Sequence, residues 1–211
     1  IRDLRSIGFT MEQIREYLEH HTVSSSLSML EDEKEAITKQ MQHLQKLQKN
    51  VEHRLNTIHS AFSLPLDEIH LMTLPPRHCH RLFEGYKHEE EMDFLMKQLI
   101  NLNQNRLYII GSNQMGTMIS LPSLLKKKTL SYQSVFLIDE EGADLIDGGD
   151  YLCVTYRGNY EQSAYWGQQL AQYAHTHKFK IRGDLLEILW IDIHTTSDES
   201  EYITQLQLPI A

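Results

Sequence analysis

One carboxylate stands alone in the run Leu185-Leu186-Glu187-Ile188-Leu189-Trp190-Ile191, and it is the strongest chemical signal in this 211-residue chain. Burying an ionised group among such neighbours costs several kcal/mol unless hydrogen bonds or a cation compensate. Glu187 is therefore the first candidate for a site that receives an organic cation. The alternatives are a Glu on a half-exposed strand, or one satisfied by a structural hydrogen bond. Strand alternation puts Leu189 and Ile191 on its face, and Ile188 and Trp190 on the other. Aromatic rings, worth about 0.5–2 kcal/mol per good contact with a cation, crowd the same stretch: Tyr151, Tyr156, Tyr160, Tyr165, Trp166, Tyr173, Trp190 and Tyr202. Glu187, Leu189, Tyr202 and Trp166 lead the expected ligand-binding set, with Tyr156, Tyr86, Phe83 and Tyr108 behind them. The remaining rings are expected to serve the core.

Other clusters carry less chemistry. His78-Cys79-His80 has metal-ligand residue types, but alternation in a strand sends the thiol away from both imidazoles. Lys126-Lys127-Lys128 reads as a solvated loop, and Glu89-Glu90-Glu91 as an acidic first turn that suits the helix dipole. Asp147-Gly148-Gly149-Asp150 is a turn without the flanking pattern of a phosphate loop. No catalytic residue, metal or cofactor is expected.

The elements that must position Glu187 follow from periodicity. From Leu27 to Phe62 a heptad stripe places Leu27, Lys34, Met41, Gln48, Leu55 and Phe62 at a, and Leu30, Ile37, Leu44, Val51 and Ile58 at d. A sustained seven-residue repeat implies a supercoiled partner rather than one straight helix, so a dimerising coiled coil is expected. A lone amphipathic helix packed on its own domain is the simpler alternative. Before it, Ile1, Leu4 and Ile7 share a helical face that Gly8 closes. Thr10 and Gln13 form a capping-box pattern for a second helix with Met11, Ile14 and Leu18 on its apolar face. Ser24 to Ser26 offer a cap for the long helix, and Pro65 ends it.

The remainder divides into two similar halves, with Gly85 matching Gly158. In the first, strand "HCHRLFEG" precedes a helix bearing Phe94, Leu95, Leu99 and Leu102, then strands "RLYIIGS" and "SYQSVFLID". In the second, strand "YLCVTYRG" precedes a helix over residues 164–173, then strands "LLEILWIDI" and "YITQLQLPI". The fold class is α+β: a helical pair, a long coiled-coil helix, and a duplicated strand-helix-strand-strand domain. The expected boundaries are 1–22, 23–63 and 64–211. Such duplication commonly leaves a ligand cleft near a pseudo-twofold axis.

Composition narrows the setting. The stretch up to Phe62 is nearly neutral, and the rest carries almost all of the net charge of −9. That distribution shows no nucleic-acid-binding face and favours cationic ligands. No run approaches the roughly 20 apolar residues of a membrane span, and no signal peptide is recognisable. Cys79 and Cys153 are the only cysteines, too few for a disulfide framework, so a cytoplasmic location is expected. The chain opens on Ile1 inside a helical pattern and reads as a fragment.

"IRDLRSIGFTMEQIREYL", followed by the heptad helix, resembles the second half of a MerR-family DNA-binding domain. Leu4, Arg5, Gly8, Phe9 and Ile14 carry the match, and Ile7, Thr10, Met11 and Gln13 are near-equivalents of the usual residues. The resemblance implies a winged helix-turn-helix upstream of Ile1 and a dimerisation helix paired antiparallel with its mate. Residues 66–211 are similar to a GyrI-like effector-binding domain. "YRGNYEQ", "LLEILWID" and "TQLQLPI" carry that likeness, with Asn159, Leu189 and Gln205 standing where Pro, Tyr and Glu are usual. It implies a glutamate at the position of Glu187 as the partner of a cationic effector, and an aromatic pocket residue at Tyr202. The joint implication is a cytoplasmic, homodimeric, ligand-responsive transcription regulator, most simply an activator. It would sense a lipophilic, cationic small molecule and remodel promoter DNA for RNA polymerase. Two other readings stand beside it: a GyrI-like small-molecule hydrolase or binding protein, and a coiled-coil scaffold with a ligand-free pocket.

Overall fold

The computed structural model describes residues 5, 9–19, 22–86, 89–102, 114–125 and 130–211. The chain forms two units, Ile1–Glu52 and His53–Ala211, so the break falls inside the long helix rather than at its start or end. The expected first helix and its Gly8 cap lie outside the described residues, as do the strand "RLYIIGS", Lys126-Lys127-Lys128 and the candidate Tyr108.

In the first unit, helix α1 (Met11–Glu19) begins directly after Thr10, and buries Ile14 while leaving Met11 exposed. The side chains of Gln13 and Leu18 lie outside the described set. Helix α2 (Val23–Ser63) runs for 41 residues. Its cap is Thr22, completed by Ser25 of the serine run. Thr22 accepts from the Ser25 backbone N–H at 3.2 Å, while Ser25 accepts from the Thr22 N–H at 2.7 Å. Reciprocal bonds of this kind satisfy two donors that the first turn would otherwise leave open. Along α2, Leu27, Leu30, Ile37, Met41, Leu44, Val51 and Leu55 are all exposed. Two members of the heptad set differ. Ile58 packs with Ala61 against Ile191 and Ile203 of its own unit, and exposed Phe62 lies under the Arg157 guanidinium at 5.9 Å.

The second unit is an eight-stranded antiparallel sheet with helices on one face. Its elements are β1 (His70–Leu74), β2 (Arg77–Leu82), α3 (Glu89–Leu102), β3 (Met115–Ile119), α4 (Leu121–Leu125), β4 (Tyr132–Ile138), β5 (Asp144–Ile146), β6 (Gly149–Arg157), α5 (Gln162–Thr176), β7 (Leu185–Ile191) and β8 (Ile203–Pro209). The spatial order is β1-β6-β8-β7-β3-β4-β2-β5. The triplet β6-β8-β7 is thus repeated in reverse as β3-β4-β2, which is a pseudo-twofold arrangement about the β7–β3 pair. The duplication expected from the sequence is present; β3 is a strand of it that had not been expected, and β1 and β5 are unexpected strands outside it. Gly116 explains why β3 is inconspicuous. Glycine weakens a strand signal, yet a Cβ there would lie 2.5 Å from the Glu187 carbonyl oxygen and from the Phe136 ring.

Each helix covers one half of the sheet. Met92, Leu95, Met96 and Leu99 of α3 pack on Met115, Val135, Leu137 and Leu189. The apolar face of α3 therefore runs through its methionines, and Phe94 and Leu102 point to solvent. Leu170 and Ala174 of α5 pack on Leu152, Val154, Leu185 and Leu206. The opposite sheet face holds Phe136, Tyr151, Cys153, Leu186 and Ile188.

Candidate functional site

Strand β7 lies in the middle of the sheet, flanked by β3 and β8, so both faces are covered and its continuous apolar run is accounted for. Leu185 and Leu189 face the helices and Leu186 and Ile188 face away, as alternation requires. A register shift between Leu189 and Ile191 breaks the pattern at the strand end, so Ile191 joins the group under α2 instead of the face of Glu187.

Glu187 sits between the α3 and α5 clusters and is 1% exposed. It pairs in register with Thr117 on β3, at the pseudo-twofold centre of the sheet. The Thr117 hydroxyl donates to Glu187 Oε2 at 2.9 Å. Ser163 Oγ, in the first turn of α5, donates to Glu187 Oε1. Because the Ser163 proton is used in this way, the Tyr156 hydroxyl donates to Ser163 Oγ at 2.6 Å. Two hydroxyl donors and the positive end of a helix dipole thus hold a carboxylate inside the domain.

Tyrosines surround this group in two stacks. Tyr86 lies on Tyr132 with centroids 4.4 Å apart, and Tyr160 on Tyr202 with centroids 5.4 Å apart. Burial pushes the Tyr86 phenol well above its ordinary range, and the neighbouring Glu187 charge adds to the shift. Burial does the same to Tyr160, assisted by Asp192 and then Glu187. Both phenols therefore stay protonated as donors. Burial also raises the Asp192 carboxyl, against the opposing pull of His194.

The expected ligand-binding residues fall into three groups. Glu187, Leu189, Tyr202 and Tyr86 meet in or beside the α3 cluster, and Tyr156 reaches Glu187 through Ser163. Trp166 belongs to the neighbouring cluster under α5, where Tyr165 meets it edge-on at 5.1 Å. Phe83 is 69% exposed beneath the Arg81 guanidinium and is not part of the group. It falls just beyond β2, where the chain leaves the sheet. Thr117 and Ser163 were not legible as site residues, because nothing in their local pattern marks a hydroxyl as buried. In the His78-Cys79-His80 triplet, Cys79 is buried, His78 is exposed, and His80 lies 3.4 Å from Asp139. Among the described residues no group of three or more His, Cys, Asp or Glu is placed to hold a metal ion.

Residues 1–54 match the family profile described as MerR, DNA binding. The opening segment is thus of the MerR DNA-binding type. Two solved structures are similar to this chain in fold. The cryo-EM structure of the EcmrR–DNA complex in EcmrR-RPo aligns with 99% of this chain and 80% of its own, at 16% identity and a TM-score of 0.58. The crystal structure of the EcmrR C-terminal domain aligns with 68% of this chain and 97% of its own, at 15% identity and a TM-score of 0.53. At these identities the likeness concerns the fold alone, an α+β GyrI-like fold. No curated protein matches the chain. Among the described residues no helix is long and apolar enough to cross a membrane.

Proposed function

We propose that this chain is the dimerising and effector-sensing part of a cytoplasmic MerR-family transcription activator that responds to a lipophilic organic cation. The observation that carries the reading is Glu187, a carboxylate buried at the centre of the sheet with tyrosine stacks on both sides. Inside a low-dielectric site a carboxylate and aromatic faces attract a cation far more strongly than they do in water. Leu189 and the α3 methionines supply the apolar, adaptable wall that such a ligand needs.

The exposed stripe of α2 joins two copies in an antiparallel coiled coil through Leu27, Leu30, Ile37, Met41, Leu44, Val51 and Leu55. Promoter DNA is held by the MerR-type segment together with the winged helix-turn-helix that the family places before it. RNA polymerase is the further partner, in line with the assembly named for EcmrR. An effector shifts the regulator only by as much as it prefers the activating arrangement over the resting one. The DNA-binding segment supports a regulator over a hydrolase, since an isolated catalytic domain has no use for it.

The test is calorimetric titration of tetraphenylphosphonium and a rhodamine dye into the chain and its Glu187→Gln variant. Micromolar binding that weakens at least tenfold in the variant is the expected result. Equal binding to both proteins would move the site away from Glu187.

A further inference from the structure

The two tyrosine stacks beside Glu187 are related by the pseudo-twofold axis. In each half a glycine approaches the tyrosine that opens the last strand of that half. The nearest contact of a Cβ on Gly85 would be the Tyr132 carbonyl oxygen, at 3.0 Å, and the Gly158 N–H donates to the Tyr202 carbonyl oxygen at 3.0 Å. Tyr86 and Tyr160 follow these glycines and stack on Tyr132 and Tyr202 in turn. Glu187, on the axis, therefore has one such ring pair from each half.

Tyr86 is 5% exposed and Tyr160 is 8% exposed, and neither hydroxyl has a hydrogen-bond partner among the described residues. The Tyr86 hydroxyl lies beside Thr117, outside hydrogen-bond geometry with it. Buried tyrosine hydroxyls almost always find an acceptor, and leaving one without is costly. Two orphan donors at related positions on either side of one carboxylate make a recognition pattern: donor, anion, donor. If apolar packing were the whole purpose of these positions, phenylalanine would fill them without the orphan hydroxyls.

We infer that the effector is a cation flanked on both sides by hydrogen-bond acceptors, such as ester, amide or ether oxygens, which take the protons of Tyr86 and Tyr160. This rests on reading Glu187 as the counter-charge of the effector, and it narrows the ligand from any greasy cation to a polar-armed one. Selectivity follows from the mismatch: an all-carbon ligand leaves both donors buried and unmet, which discriminates more sharply than a lost methylene.

A matched pair of probes tests this: bis(2-acetoxyethyl)dimethylammonium, with an ester on each side of the charge, and dipentyldimethylammonium, its all-carbon counterpart. Affinities are measured by calorimetry for the chain and for Tyr86→Phe, Tyr160→Phe, the double variant and Glu187→Gln. The ester-to-alkyl affinity ratio is expected to fall roughly fivefold in each single variant and further in the double. Binding of the alkyl probe is expected to survive both Phe substitutions, which shows the site still folded, and to collapse in Glu187→Gln. A ratio that the Phe substitutions leave unchanged, with alkyl binding still dependent on Glu187, overturns the inference and leaves the cation site standing. Failure of both probes to bind, or binding indifferent to Glu187, overturns both.

Discussion

Removing the Thr117 hydroxyl isolates the bond that positions Glu187. Thr117→Val keeps the shape of a fully buried side chain and deletes only the donor that reaches Glu187 Oε2 at 2.9 Å. A hydrogen bond to a charged group contributes about 1.5–3 kcal/mol, and a buried carboxylate cannot turn to water for a replacement. The expected cost is therefore about 2 kcal/mol. For a unit of this size that lowers the melting temperature by about 4–8 °C. Calorimetric or circular-dichroism melting of the chain measures it directly. The stronger form is a double-mutant cycle with Glu187→Leu. With the carboxylate gone, the threonine hydroxyl has lost its acceptor, and valine should cost less than about 0.5 kcal/mol in that background. A coupling of at least about 1.5 kcal/mol is the expected result. Simple additivity of the two substitutions would refute the claim that the hydroxyl is spent on the carboxylate.

Other outcomes follow from the same structure. Replacing Leu44 and Val51 by Glu, at positions 62% and 52% exposed, should raise the dimer dissociation constant by about two orders of magnitude or more, since each buried Leu or Val contributes about 1.5–3 kcal/mol; sedimentation equilibrium reads this, and unchanged association would remove the stripe from the interface. Phe83→Ala should leave cation affinity within about twofold, whereas Tyr202→Ala should lower it about tenfold or more by the loss of one ring of a stack; both are read by calorimetry. Burial raises both thiols, Cys153 from 9.0 to about 12. An unfolded thiol then loses its proton before the folded one does, so this contribution to stability is intact below pH 9 and is lost as pH rises towards 12. Denaturant midpoints that fall across that window check the sign, and native protein at pH 8 should resist a chromogenic disulfide reagent that labels it after unfolding.

Some of this was written openly in the sequence. Glu187 is conspicuous because every neighbour in β7 is apolar, and a strand covered on both faces needs that run. The duplication shows because both helices and their preceding strands keep the same spacing. Strand β3 was hidden by Gly116, whose missing side chain is what allows β7 and Phe136 to approach. Thr117 therefore went unseen with it. Ser163 looks like an ordinary helix-start residue, and only the fold reveals that it bridges Tyr156 and Glu187. Trp166 and Phe83 were favoured for their ring chemistry alone, and ring type says nothing about which side of a helix or strand end faces the carboxylate. On α2 the heptad pattern fixed the stripe, while the tertiary neighbours Ile191 and Ile203 claimed Ile58 from it.

The most direct test is a crystal structure of the chain with tetraphenylarsonium, whose arsenic is located by its anomalous scattering. The expected arsenic peak lies within about 6 Å of the ring centroids of the two tyrosine stacks and faces the Glu187 carboxylate. A fully occupied cation anywhere else, with Glu187 still enclosed by Thr117, Ser163 and the α3 side chains, would contradict the assignment of this site.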